Sequence, residues 1–205
     1  MRNPWEEIPL SDYENHMKLD SVMQLQAMNQ MMNGQFHTYP VDSIMILGVA
    51  GGNGLEHIDR EKYKKVYGID INEGYLEAVQ ERYSNLSDIL ECRKINLLEE
   101  ADKLPKAQMV VANLLIEYIG YECFQKAIVS AEPKYVSCGI QINLDDSWVS
   151  DSPYLHVFDD LDRVHHQMDA DSLRCAMEEI GYKPIRELDY PLPNGKKLVQ
   201  LDFGK

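Results

Sequence analysis

The sequence lacks paired cysteines. Cys92, Cys123, Cys138 and Cys175 are spread along the chain with no CxxC spacing among them. A 205-residue chain can bury enough apolar surface to need no disulfide staple. Reduced, mostly buried thiols are expected, and no metal site. Long apolar runs are missing too. No stretch reaches the roughly 18 residues of a membrane span, and the leading MRNPWEEIPLSDYENHM has no apolar core of signal-peptide length. The expectation is a cytoplasmic protein with no membrane partner. Basic residues are scarce, with 20 Lys and Arg against 34 Asp and Glu for a net charge of -14. A phosphate backbone calls for a basic face, so nucleic acid is not an expected partner. The densest basic run, Arg60 to Lys65, is interrupted by Glu61 and reads as a solvated helix end. There is also no internal repeat, no low-complexity segment and no Gly/Ser/Pro-rich linker. The whole of 1–205 therefore reads as one domain, with a helical segment over 1–40 preceding a core over 41–205.

Alternation of two periodicities is what the chain does contain. Short apolar runs at 43–50, 65–71, 107–115 and 133–142 read as buried strands, with a weaker one at 89–96. Helical stretches are expected from Gly52 to about Tyr63, from Asn72 to about Tyr83 and from about Glu117 to Ala131, with a short turn over Glu99–Leu104. Upstream, Asp12 to Met32 reads as one helix, capped by Asp12 and stopped by Asn33-Gly34. Its methionines, Met17, Met23, Met28, Met31 and Met32, form an adaptable apolar face. Near-continuous apolar strands alternating with helices indicate a mostly parallel α/β sheet with helices on both faces. The end differs. A helix over Asp169–Ile180 stops at Gly181, and Asn194-Gly195 then separates two strand-like runs, a hairpin signal that closes the sheet with antiparallel strands.

The stretch Ile44 to Ile58 carries the chemistry. A strand ends at Leu47, a turn holds Gly48, Gly51, Gly52 and Gly54, and a helix is expected next. Glycines there let backbone approach a ligand lying across the strand ends, and helix-start N–H groups can be offered to it. Asp70 closes the second strand, where a carboxylate can accept both ribose hydroxyls of a nucleoside. The dinucleotide pattern G-x-G-x-x-G does not fit from either Gly48 or Gly52.

The chain instead resembles the class I S-adenosylmethionine-dependent methyltransferases. Their first motif, acid-x-G-x-G-x-G, corresponds to Ile46, Leu47, Gly48, Val49, Ala50, Gly51 and Gly52, so Ile46 stands where the acid is usual and Ala50 where the second glycine is. VYGIDIN resembles the second motif, KINLLE the third and MVVANLLIEYI the segment after the fourth strand. The resemblance implies a Rossmann-like methyltransferase fold of seven strands with an antiparallel C-terminal hairpin strand. It implies S-adenosylmethionine as cofactor, held by Gly48, Ala50 and Gly52, with Asp70 at the ribose and Ile71 on the adenine. Asn96 and Leu97 would sit at the adenine edge and Asn113 at the mouth of the site. The N-terminal segment resembles the leading helix of small bacterial members, which covers the cofactor, and so places Tyr13, His16 and Met17 against the ligand.

Methyl transfer asks the protein for position and a dry pocket more than for chemistry. No general base stands out, and the catalytic residues stay unassigned. His165 and His166 border the expected acceptor region but read more readily as surface groups. Glu117 can line the pocket, and Tyr118 reads as core packing. The acidic residues Asp145, Asp146, Asp151, Asp159, Asp160 and Asp162 can attract a cationic acceptor but read more readily as a solvated loop. The expected function is methyl transfer to a small-molecule acceptor. A cofactor-binding protein without catalysis is the alternative, motivated by Ile46, and a nicotinamide-dependent oxidoreductase is a third reading. Acceptor, attacked atom and oligomeric state are not legible.

Overall fold

A computed structural model of the chain describes residues 3–143, 152–193 and 195–205. Seven strands form one sheet: β1 (Ser43–Leu47), β2 (Lys65–Asp70), β3 (Leu90–Lys94), β4 (Met109–Asn113), β5 (Tyr135–Ile142), β6 (Lys183–Pro191) and β7 (Lys197–Gly204). Their order is β3-β2-β1-β4-β5-β7-β6. The first five run parallel, and β7 pairs antiparallel with both β5 and β6. This is the expected mostly parallel sheet closed by an antiparallel hairpin. Gly195 takes the positive φ that such a turn needs, at 78°; its sequence partner Asn194 lies outside the described residues.

The strand pattern shows why both faces are covered. On β1, Met45 and Leu47 point to one core and Ile44 and Ile46 to the other; on β4, Val110 and Ala112 oppose Met109 and Val111 in the same way. Helices α4 (Leu97–Glu100), α5 (Ile116–Ala131) and α6 (Ala170–Glu179) pack on the first face, through Leu97 of α4, Phe124 and Ile128 of α5, and Leu173 and Met177 of α6. The second face receives Met32 and Phe36 of α2 (Gln24–Thr38) and Leu76 and Val79 of α3 (Glu73–Arg82). Asn72 caps α3 by accepting from the Tyr75 N–H.

Three expectations give way. The N-terminal helix is two helices, α1 (Leu10–Met17) and α2. The chain turns at 18–23, where the Val22 and Met23 N–H groups both donate to the Leu19 carbonyl and Met23 is left-handed (φ 55). Asp12 lies inside α1, whose cap is Pro9. Nor does Gly34 end α2. A mid-helix glycine costs only about 1 kcal/mol, and continuing the helix buries Gln35 and Phe36 completely.

The second correction is at Gly52–Tyr63, which forms only a 3₁₀ turn at Leu55–His57. Gly52 and Gly54 hold φ of +83° and +89°, which no right-handed helix accommodates. Side chains crowd them: a Cβ on Gly52 would meet Tyr83 at 2.6 Å and one on Gly54 would meet Met32 at 2.8 Å. No helix start stands behind the glycine turn, so the N–H donors expected from one are absent there. The basic run Arg60–Lys65 is correspondingly turn and loop, ending where β2 begins at Lys65, rather than a helix end; Arg60 pairs with Asp88 and Lys64 with Asp42.

The thiols are the third. Only Cys138 is buried; Cys92 and Cys123 are half-buried and Cys175 is exposed on α6. Among the described residues, no helix is long and apolar enough to cross a membrane.

Candidate functional site

Strand order reverses between β1 and β4, and the crevice at their C-terminal ends is where open α/β sheets take ligands. Three chain segments meet there. The Gly48 and Val49 N–H groups donate to the Ile69 carbonyl at 2.9 and 3.0 Å, tying the glycine turn to the end of β2. Asp70 is the last residue of β2. Its Oδ2 accepts the Ala50 N–H and its Oδ1 the Asn72 N–H, both at 2.9 Å. Each oxygen therefore keeps acceptor capacity for a further donor. Burial raises the Asp70 pKa, and the backbone donors of Asn72, Ala50 and Ile71 oppose that shift. Ala50 pays for its place in the turn with a left-handed backbone, φ 46.

The result is a partly enclosed cleft at the strand ends, with a mainly apolar lining and a few polar groups, as is usual for small-molecule sites. It is lined by Gly48 and Ala50 of the glycine turn, by Asp70, Ile71 and Tyr75, and by Ile95, Asn96, Leu97 and Leu98. Asn3, Trp5 and Tyr13 cover it. Asn113, Leu114, Leu115, Tyr118 and Ile119 close the end. The Asn96 Oδ1 accepts the Leu98 N–H at 3.2 Å, which fixes the side chain at the start of α4.

The cover is tied down by hydrogen bonds. Asn72 Nδ2 donates to the Trp5 carbonyl and the Tyr75 hydroxyl to the Ile8 carbonyl, each at 2.9 Å. Arg82 on α3 grips Glu14 on α1 with both Nη atoms. Burial raises the Tyr13 pKa, with Asp70 adding to the shift, so its hydroxyl stays neutral beside the cleft.

Asn113 forms a reciprocal amide pair with Gln35, 3.0 Å in each direction. Gln35 also donates to the Ser137 hydroxyl at 2.8 Å. A smaller pocket shares Tyr13, Gly48, Ala50 and Asn113 with the cleft and is lined in addition by Met28, Met32 and Ile46.

A further pocket of about 560 Å³ adjoins the main cleft and shares Trp5, Tyr13, Leu114 and Tyr118 with it. Its own lining includes His16 and Met17 of α1, Gln24 of α2, Glu117 of α5, Gln141 of β5, and Phe158 and His165. Gly120 breaks α5 with a φ of 72°, which sets its first residues, including Glu117 and Tyr118, apart from the rest of the helix. Glu117 is 4 % exposed. Its Oε1 accepts the Gln141 N–H at 2.9 Å, and its Oε2 has no hydrogen-bond partner. Burial pushes its pKa up to about 7 against the backbone donors of Gln141 and of Glu117 itself. Burial lowers the His16 and His165 pKa values, reinforced by Lys196 at His16 and by His166 at His165.

Of the sequence-predicted residues, Tyr13, Gly48, Ala50, Asp70, Ile71, Asn96, Leu97 and Asn113 meet in the main cleft. Gly52 faces Tyr83 instead. His16 and Met17 line the adjoining pocket. There the His16 Nδ1 lies 2.8 Å from the Ser152 hydroxyl. Tyr118 does both things considered for it: it packs against the buried cluster of Ile8, Phe158 and Leu161 and is a wall of both pockets. His166 is exposed, and its N–H donates to the Glu117 carbonyl. Of the acidic run, Asp145, Asp146 and Asp151 lie outside the described residues; Asp159, Asp160 and Asp162 are exposed. Trp5 and Leu114 were not anticipated. Trp5 had a signal, a large aromatic in a polar segment. Leu114 had none, because its left-handed φ of 52° appears only in the folded backbone.

The arrangement matches known structures across the whole chain. A magnesium protoporphyrin IX methyltransferase from Synechocystis PCC 6803, with bound S-adenosylhomocysteine, superposes with a TM-score of 0.72 at 11% identity, covering 98% of this chain and 96% of that one. The fold is that of the S-adenosylmethionine-dependent methyltransferases. The N-methyltransferase NodS from Bradyrhizobium japonicum WM9, in complex with S-adenosylhomocysteine, gives 0.68 at 12% identity, covering 100% and 99%. The cyclase SpnF gives 0.66 at 8% identity, covering 88% and 82%, so this methyltransferase fold also carries a protein named for a different reaction. No protein-family model and no curated protein matches the sequence.

Proposed function

We propose that this protein is an S-adenosylmethionine-dependent methyltransferase acting on a small-molecule acceptor. The observation that carries the reading is the joint placement of Asp70 and the Gly48–Ala50 turn in one cleft. Spare acceptor capacity on both Asp70 oxygens suits the two ribose hydroxyls. Ile71 and Leu97 offer apolar faces to an adenine whose edge meets Asn96. The methionine end lies along Gly48, Ala50 and Asn113, the residues the cleft shares with the smaller pocket. Trp5 and Tyr13 exclude water as the 1–40 segment covers the site. When bound, the cofactor supplies an activated methyl group; the chain's residues orient it and keep the adjoining pocket dry. The whole of 1–205 acts as one domain in this reading.

Titration calorimetry with S-adenosylhomocysteine tests it. Micromolar binding is expected, and absence of binding at millimolar ligand would overturn the proposal. A second reading rests on Ile46, which is buried and lines the pocket assigned to the methionine end, where the family resemblance calls for an acid. In that reading the protein binds the cofactor without catalysing. Turnover of methyl-labelled cofactor with any member of an acceptor panel rules it out.

A further inference from the structure

The pocket beyond Tyr118 holds a feature that cofactor binding does not use. Glu117 is a nearly inaccessible carboxyl with one oxygen unengaged. Buried carboxylates are normally paired or fully hydrogen-bonded, since isolation from water costs several kcal/mol. The groups facing it are Tyr13 and His16 from α1, Gln24 from α2, Tyr118 beside it, Gln141 from β5, and His165. None of these lining groups is a lysine or arginine; the nearest cation is the buried Lys196, close enough to His16 to lower its pKa. The Gln24 Nε2 donates to the Gln141 Oε1, and the Gln141 Nε2 donates in turn to the Asn143 Oδ1. The remaining walls are the aromatic Trp5 and Phe158 and the aliphatic Met17 and Leu114. Trp5 meets Tyr118 edge-on with ring centroids 4.9 Å apart, and Phe158 lies 4.8 Å from the His16 ring. An acid beside aromatic faces attracts an organic cation twice over, through charge and through the ring quadrupoles. It repels an anion. The net charge of -14 adds long-range attraction of the same sign.

From this geometry we propose that the pocket of Glu117, His16, Tyr118 and Phe158 receives a primary or secondary amine, carried on an apolar body and entering as its ammonium, and that Glu117 takes the ammonium proton. The inference rests on the methyltransferase reading above and names its acceptor class. The pocket shares Trp5, Tyr13, Leu114 and Tyr118 with the cofactor cleft, so an amine seated there adjoins the methyl group. One N–H proton passes to the Glu117 carboxylate and frees the nitrogen lone pair. That pair forms the N–C bond as the methyl–sulfur bond breaks, its electrons staying on sulfur, and the positive charge reappears on the methylated nitrogen. Glu117 gives its proton to solvent when the product leaves. A pKa raised toward neutrality suits this exchange.

The test is calorimetric and needs no turnover. Benzylamine, benzyl alcohol and benzoate share a ring and differ in charge, and each is titrated into the full chain with and without saturating S-adenosylhomocysteine. Benzylamine is expected to bind at least about tenfold more tightly than benzyl alcohol, and benzoate most weakly. In Glu117→Gln, checked for an intact melting transition, the preference for benzylamine collapses to within about threefold. Equal affinity of wild-type protein for benzylamine and benzyl alcohol, with S-adenosylhomocysteine bound, would overturn the amine inference alone. So would a charge preference that survives in Glu117→Gln. Failure of S-adenosylhomocysteine to bind would overturn the cofactor reading and with it the role of Glu117 in methyl transfer. The wild-type comparison needs no variant to fold.

Discussion

Glu117→Gln is also expected to change how stability depends on pH. Burial places the Glu117 pKa at about 7, against an ordinary value of 4.5. At about 1.4 kcal/mol per tenfold change in proton affinity, that displacement is worth about 3 kcal/mol. Its sign follows from proton counting. Between the two values the folded protein holds the proton that the unfolded chain has released, so stability falls as pH rises. The penalty is absent well below 4.5 and complete above about 7. Glutamine keeps the oxygen that accepts from the Gln141 N–H and cannot ionise. Its NH2 group places two N–H donors where Oε2 has no partner, a cost of about 1–3 kcal/mol or more that does not vary with pH. His16 and His165 titrate in the opposite sense, because burial lowers their pKa values; both are present in wild type and variant and drop out of the difference. The measurement is a paired melting series by scanning calorimetry from about pH 5 to pH 8. Across it the variant should gain about 2–3 kcal/mol relative to wild type, which is about 5–10 °C in Tm for a chain of this size. Parallel curves would show that Glu117 ionises freely in the folded protein, and would refute the claim that it is isolated from water.

Two further substitutions probe the main cleft. Asp70→Asn removes the charge proposed to accept the ribose hydroxyls and should weaken S-adenosylhomocysteine binding about 10- to 100-fold by calorimetry; an unchanged Kd would remove Asp70 from the site. Ala50→Gly relieves a left-handed alanine (φ 46) and should raise stability by up to about 1 kcal/mol, seen as a Tm higher by about 1–3 °C. A lower Tm would mean that the alanine methyl packs usefully in the turn.

The sequence by itself determined the architecture. Near-continuous apolar runs such as those at Ile44–Leu47 and Met109–Ala112, alternating with helical stretches, suit strands covered on both faces, and that pattern is local. Gly48, Asp70 and Asn113 could be assigned to one site because each ends a strand, and strand ends of such a sheet meet at one edge. Helix limits were less legible. Whether Gly34 stops a helix depends on what Phe36 must bury, and whether Gly52 starts one depends on how closely Tyr83 and Met32 approach. Those are contacts between residues far apart in sequence. The same holds for Glu117. In sequence it is one acid among 34. Only the tertiary structure sets it at the start of a broken helix, with Gln141 on one oxygen and no partner on the other. Isolation from water is a property of everything packed around a side chain, and no short stretch of sequence encodes it.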